Sequence, residues 1–302
     1  MMLRSLRALL VAAVVALPIC GAASPSAVPA PVPSSAGLTG SPAERYAASR
    51  ADIEAAARSA RAYGARSRAG VLDGMADPGR QFLFFDGRAG GRSAEVFGDL
   101  ALAREIAILV PGSGISIDKY RRFRAGAQAL QHELGDGGAV VAWLGYEPPA
   151  AVSPSILTSA VAAEAAPELS RFAAGLRADT GPDTRISLLC HSYGSVVCAH
   201  AAAGLDVDAI VLYGSPGVGF ANAQALRSSA TIWAGRGADD WISGVPHIQI
   251  GPAGFGADPV SPGFGARIFA AGNGGHNDYL KPGSAALSSI ARIVTADGDG
   301  NE

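Results

Sequence analysis

The chain has 302 residues, 49% of them hydrophobic and 17% charged, with 24 basic against 26 acidic side chains and a formal net charge of −2. That composition excludes a disordered or collagen-like chain, and without a basic field to gather phosphates it argues against nucleic acid as a partner. Lys119 and Lys281 are the only lysines, so the basic side is almost entirely arginine, which with the abundance of Ala and Gly points to a high-GC genome.

Residues 1–23 read as a secretory leader: Arg4 and Arg7 supply a positive start, Ala8 to Ile19 an uncharged apolar run, and Gly21-Ala22-Ala23 small residues for cleavage. The apolar run is shorter than the roughly 20 residues of a bilayer span, which favours a cleaved leader over an uncleaved membrane anchor. Cys20 follows Ile19 rather than the small residue that precedes an acylated cysteine. The expectation is a secreted or extracytoplasmic protein with no integral membrane span after leader removal. Ser24 to Gly40 is rich in Pro, Ser and Ala and reads as a flexible linker. Residues 41–302 read as a single domain.

That domain opens with Ser41-Pro42-Ala43-Glu44, a Ser cap, Pro in the first turn and Glu three residues on, so a helix is predicted over 42–63 with Gly64 as its stop. Phe82 to Phe85 and Ala94 to Phe97, joined by a Gly-rich turn, form a β-hairpin. Four apolar runs follow, Ile106 to Val110, Ala139 to Leu144, Ile186 to Cys190 and Ala209 to Tyr213, each leading into a helical stretch. Runs apolar on both faces that alternate with helices mean a parallel sheet covered on two sides. Ala230 to Ala234 and Arg267 to Ala271 extend it, and Ser284 to Val294 closes the chain as a helix. The fold class is α/β, a mostly parallel central sheet with helices on both faces and an N-terminal β-hairpin.

In such sheets ligands sit beyond the carboxyl ends of the strands. After Ile186 to Cys190 comes Cys190-His191-Ser192-Tyr193-Gly194-Ser195 and then an apolar helix, the strand, tight turn and helix of a nucleophile elbow, G-x-S-x-G, with Cys190 in the place of the first Gly. The competing reading is an ordinary turn with a Ser cap. An activated serine needs an acid and a base in the chain order Ser, Asp, His. Asp239 and Asp240 follow the run 230–234, and His276 lies in the loop after 267–271. The oxyanion donors expected from the motif are the N–H groups of Tyr193 and of Ser113, in the Gly-rich loop Pro111-Gly112-Ser113-Gly114. His191, His200, His132 and His247 have no comparable placement as a base.

Leader removal leaves two cysteines, Cys190 and Cys198. In an exported protein an even pair suggests a disulfide, although an ordinary strand-to-helix spacing exceeds the Cα limit of about 7 Å; two buried thiols are the alternative. No His, Cys and Asp spacing suits zinc, and no cofactor or metal is expected. Tyr146, Trp241 and the long Gly/Pro-rich connection between Trp241 and Gly265 are candidate pocket walls. Trp241 and the phenylalanines there suggest an apolar acyl or aromatic group rather than a charged one, in a small-molecule or lipid-like acyl substrate.

Eight segments in order resemble the α/β-hydrolase family of unknown function found in many actinobacterial exported proteins. They are Gly91-Arg92-Ser93-Ala94 with Gly98-Asp99, Val110-Pro111-Gly112-Ser113-Gly114, Ala142-Trp143-Leu144-Gly145-Tyr146, His191-Ser192-Tyr193-Gly194-Ser195, Gly214-Ser215-Pro216-Gly217, Asp240-Trp241-Ile242, Asp258-Pro259-Val260-Ser261 with Phe264-Gly265, and Gly275-His276-Asn277-Asp278-Tyr279. The resemblance covers about Phe82 to Val294 and implies an α/β-hydrolase fold with a Ser-Asp-His site. It favours Asp240 as the orienting acid, since an acid directly precedes an aromatic residue and Ile in the family-like pattern; Asp239 is second choice. The expected function is a serine hydrolase cleaving an acyl substrate, most simply a carboxylic ester, through a Ser192 acyl-enzyme with His276 as base. The alternatives are an acyltransferase or peptidase using the same triad, revealed by an acceptor competing with water, and a noncatalytic binding protein in which Ser192 lies out of reach of His276.

Overall fold

The computed structural model describes residues 28–34 and 40–296, so the predicted leader and the Asp-rich tail 297–302 lie outside the described residues. Helix α1, Pro42–Ala62, carries both halves of the predicted capping box, with Glu44 N–H donating to Ser41 Oγ and Ser41 N–H to Glu44 Oε2. Its small buried face, Ile53, Ala56, Ala57 and Ala60, lets it lie close on the hairpin. Part of the stretch expected to be a flexible linker rests on this helix: Ser34 donates through N–H and Oγ to Asp52, and Ser59 Oγ donates to Pro29 O at 2.8 Å.

A second helix, α2, Arg66–Met75, was not predicted. Two glycines and no capping side chain hide it in the sequence, and burial of Ala69, Leu72 and Met75 holds it in place. The hairpin follows as β1, Gln81–Asp86, and β2, Arg92–Phe97, paired antiparallel.

Then come β3, Glu105–Val110, α3, Arg121–Leu134, and β4, Gly138–Leu144. They are followed by α4, Ala160–Thr180, β5, Arg185–His191, α5, Tyr193–Ala201, β6, Ala209–Tyr213, and β7, Thr231–Gly235. A small hairpin of β8, Gln249–Ile250, and β9, Ala253–Gly254, precedes β10, Arg267–Ile268, and α6, Ala285–Thr295. The main sheet has the order β1-β2-β4-β3-β5-β6-β7-β10; β2 meets β4 antiparallel, and every pairing from β4 onward is parallel.

Every residue of β4 and β6 is buried, as expected for strands covered on both faces. On one face Trp143, Leu188 and Leu212 pack against α4 and α5; on the other Leu109, Leu189 and Val211 pack against α1, α3 and α6. The predicted run 267–271 pairs only at Arg267 and Ile268, after which Phe269 N–H reaches Ala234 O at 3.1 Å and the chain leaves the sheet. That departure supplies the loop carrying His276. The parallel strands therefore deliver Ser192, Asp240 and His276 beyond one edge of the sheet, at their carboxyl ends.

Candidate active site

Ser192 stands between β5 and α5 with φ 52° and ψ −124°, backbone angles that cost a non-glycine residue about 1–3 kcal/mol. The surroundings hold it there: Ser192 N–H donates to Tyr213 O at 3.0 Å, while Ser192 O accepts from Ser195 N–H at 2.9 Å and Ser195 Oγ at 2.6 Å. Gly194 makes the turn possible, because a Cβ there would lie 2.5 Å from Val110 O. Two residues before Ser192, Cys190 takes the usual glycine position without crowding the helix, since it is bonded to Cys198 in α5. The sharp turn folds α5 back over β5 and brings the two Cα atoms to 6.3 Å, inside the disulfide range that an ordinary strand-to-helix spacing was expected to exceed.

His276 Nε2 lies 3.0 Å from Ser192 Oγ, and its Nδ1 lies 2.9 and 3.1 Å from the two Asp240 oxygens. A carboxylate only accepts, so Nδ1 carries the proton and Nε2 is left to accept from the serine hydroxyl. All three side chains are buried, with Ser192 8% exposed. Asp239 is exposed and makes no contact with the imidazole among the described hydrogen bonds.

Asp240 is gripped from three directions. Its oxygens accept from His276 Nδ1, from Tyr279 Oη at 2.5 Å and from Ile242 N–H at 2.9 Å. Burial alone would raise its pKa; these hydrogen bonds outweigh it and hold the carboxyl below the usual range. Tyr279 Oη in turn accepts from Gly237 N–H, and burial together with the Asp240 carboxylate pushes the phenol well up. Tyr279, three residues beyond His276, is a polar partner the sequence reading gave no role.

His191 does not reach the serine. Its Nε2 donates to the backbone carbonyl of His276 at 2.7 Å, and its ring packs among Tyr213, Tyr279 and the His276 imidazole. Burial, with a smaller effect from the neighbouring His276, lowers its pKa to about 4, so it is neutral at physiological pH. The other histidines lie elsewhere: His200 packs against Phe220, and His247 faces Asp258.

The loop after β3 touches the nucleophile. A Cβ on Gly112 would sit 2.7 Å from Ser192 Cβ, so the loop passes against the serine and presents the Ser113 amide nearby. Among the described residues no backbone hydrogen bond occupies the Ser113 N–H, and Tyr193 is the first residue of α5, where helix N–H groups have no intrahelical acceptor. Tyr146, expected to wall a pocket, is 4% exposed and does line one; it also stacks on Trp143 and donates through Oη to Pro111 O, bracing this loop. Its neighbours Glu147 to Pro149 line a groove of about 1370 Å³ beside that loop. Trp241 is 61% exposed, with its ring 4.6 Å from that of His276, and so covers the imidazole on the solvent side.

The long connection after Trp241 folds over the β4–α4 loop. Ala253 bridges to Thr158, and Phe255 packs edge-on against Tyr193, whose hydroxyl donates to Thr158 O. Among the described residues no three His, Cys, Asp or Glu side chains cluster as a metal site, and no helix is long and apolar enough to cross a membrane.

Two uncharacterized mycobacterial proteins are similar in sequence. Rv2079 of Mycobacterium tuberculosis is 29% identical over 249 residues, covering 69% of this chain and 38% of that protein. Mb0988c of Mycobacterium bovis is 39% identical over 109 residues, covering 34% of this chain and 41% of that protein. The chain thus spans well under half the length of these relatives. Among solved structures, XC6422 from Xanthomonas campestris, described as an α/β serine hydrolase without lid, aligns with TM-score 0.48 and 17% identity, covering 74% of this chain and 96% of that one. Esterase LipW from Mycobacterium marinum aligns with TM-score 0.44 and 14% identity, covering 82% and 91%. The family model described as alpha/beta hydrolase matches residues 86–250, more than half of the sequence, and the chain belongs to that family.

Proposed function

We propose that the protein is a serine hydrolase that cleaves a carboxylic ester through an acyl-enzyme on Ser192. The observation carrying this reading is the unbroken hydrogen-bonded chain from Ser192 Oγ to His276 to Asp240, with the serine held at φ 52° against the loop Pro111 to Gly114. His276 Nε2 takes the hydroxyl proton as Oγ bonds to the ester carbonyl carbon. The negative charge moves onto the carbonyl oxygen, which the Tyr193 and Ser113 N–H groups are proposed to receive.

Collapse breaks the C–O bond to the alcohol, and the leaving oxygen takes the proton back from His276. Water then repeats the sequence on the acyl-enzyme and releases the acid. Asp240, ionised and fixed by Tyr279 and Ile242, keeps the proton on Nδ1 and offsets the imidazolium charge.

Labelling with a fluorophosphonate tests the reading. Ser192 is expected to carry the label, and Ser192→Ala or His276→Ala to lose ~10⁶-fold in ester turnover. Unchanged turnover in folded Ser192→Ala protein removes the assignment.

The same proposal places the protein outside the cytoplasm, with residues 1–23 as a cleaved leader and 41–302 as one catalytic domain. The Cys190–Cys198 disulfide supports that location, because such bonds persist in oxidising compartments. N-terminal sequencing of exported material is expected to begin at Ser24.

A further inference from the structure

A cavity of about 380 Å³ is lined by Gly112, which lies against Ser192, and by His191 and His276. Phe123 of α3 and Leu280 give it apolar walls, and two exposed cations, Arg122 and Lys281, also line it. We infer that this cavity receives the alcohol portion of the substrate and that this portion carries a negatively charged group, a carboxylate or its equivalent, which Arg122 and Lys281 bind. The inference rests on the serine hydrolase reading above and names the class of ester that the site would take.

The side of the site is fixed by chemistry. The leaving oxygen must collect its proton from His276 Nε2, so the alcohol portion lies on the His276 side, where this cavity opens, and not along the separate groove beyond Gly114. The sign of the charge follows from what is unpaired. Arg124, two residues after Arg122, is paired with Glu95, whereas neither Arg122 nor Lys281 has an ion pair among the described residues. The one acid lining the cavity, Asp278, accepts from Gly275 N–H through its Oδ2, so part of its hydrogen-bonding capacity is spent on its own loop.

Two further facts agree with an anion at the opening. α3 begins Arg121-Arg122 with no acidic residue in its first turn and no capping side chain. Cations at a helix N-terminus oppose the helix dipole, an arrangement that a bound anion would relieve. The chain as a whole has a net charge of −2, so this positive opening is not the by-product of a basic protein.

The test compares 4-acetoxybenzoate, whose leaving group is anionic, with its neutral methyl ester. Wild type is expected to favour the anionic ester by about tenfold in kcat/KM, the preference shrinking with added salt. In the Arg122→Gln/Lys281→Gln double variant the preference is expected to collapse toward one. Read as a ratio on a single preparation, it does not depend on how much of the variant is folded.

Equal kcat/KM for the two esters in wild type, or a preference that survives in the double variant, overturns the inference and leaves the hydrolase reading standing. If neither ester is turned over, calorimetry on the Ser192→Ala protein decides the anion site separately. Binding of 4-hydroxybenzoate but not 4-cresol, lost in the double variant, upholds it; no binding overturns it.

Discussion

Two buried polar centres sit on the same sheet and use their hydrogen bonds differently. At Glu95 in β2, which is 1% exposed, the carboxylate is closed on itself: Oε1 accepts from Arg80 Nε and Arg124 Nε, and Oε2 accepts from Arg80 Nη2. At Asp240 the chain of bonds is open at one end. It runs from Tyr279 and Ile242 through the carboxylate and His276 to Ser192, whose hydroxyl is the terminal group. A closed network holds elements together; an open, directed one makes its last atom reactive. The strain agrees, since Ser192 stands at φ 52°.

The direction of the open chain can be reversed without emptying it. Asp240→Asn keeps the volume but can present an N–H to His276 Nδ1, favouring the wrong tautomer, and kcat is expected to fall about 10⁴-fold with little change in KM. Asp239→Asn, on an exposed side chain, is expected to leave both constants alone. Comparable losses in the two variants would mean that the acid has been misassigned.

The closed centre is expected to respond in stability. Glu95→Ala strips the shared acceptor from Arg80 and Arg124, and removing one member of a buried charge cluster costs about 3–5 kcal/mol. Urea unfolding should show that loss while the folded fraction keeps its kcat. A fall in kcat with an unchanged unfolding midpoint would put Glu95 in the catalytic network instead.

Sequence pattern makes the open centre far more legible than the closed one. Strands β3 to β7 are continuous apolar runs that end in turn residues, so their positions could be read within a residue or so; Ser192 and Asp240 stand out because each follows such a run, and His276 because it follows the run 267–271, of which only two residues pair. Glu95 did not stand out, because a lone acid in a strand looks like a solvent-facing residue until Arg80 and Arg124 are seen to meet it. Helix α2 was hidden by its two glycines and polar residues, since its stability comes from tertiary burial of Leu72 and Met75 rather than from propensity. Tyr146 illustrates a different gap: an aromatic residue after a strand suggests the pocket wall that it is, and only its hydroxyl contact with Pro111 shows it to be a brace as well. The disulfide depended on backbone geometry that spacing alone does not carry, namely how far the elbow folds α5 back over β5.

The smallest expected effect concerns His191, which belongs to the open centre but acts on its backbone. Folded His191 has its pKa lowered from 6.5 to about 4, so between those values the unfolded chain takes up a proton that the folded one does not. Its contribution to stability is therefore complete above about pH 6.5 and is lost as the pH falls toward 4. His191→Gln can still donate to the His276 carbonyl but does not titrate. The urea midpoint of wild type should fall more between pH 7 and pH 5 than that of the variant. His200, also lowered by burial, contributes with the same sign to both proteins and cancels in the difference. The Asp240 carboxyl, held below 3.8, gives up its contribution only at lower pH. At pH 7 the variant should lose about tenfold in kcat at most, because a glutamine can replace the hydrogen bond but not the ring packed against the imidazole. Equal midpoint shifts in the two proteins would mean that His191 is charged in the fold, and its bond to His276 would then need a different account.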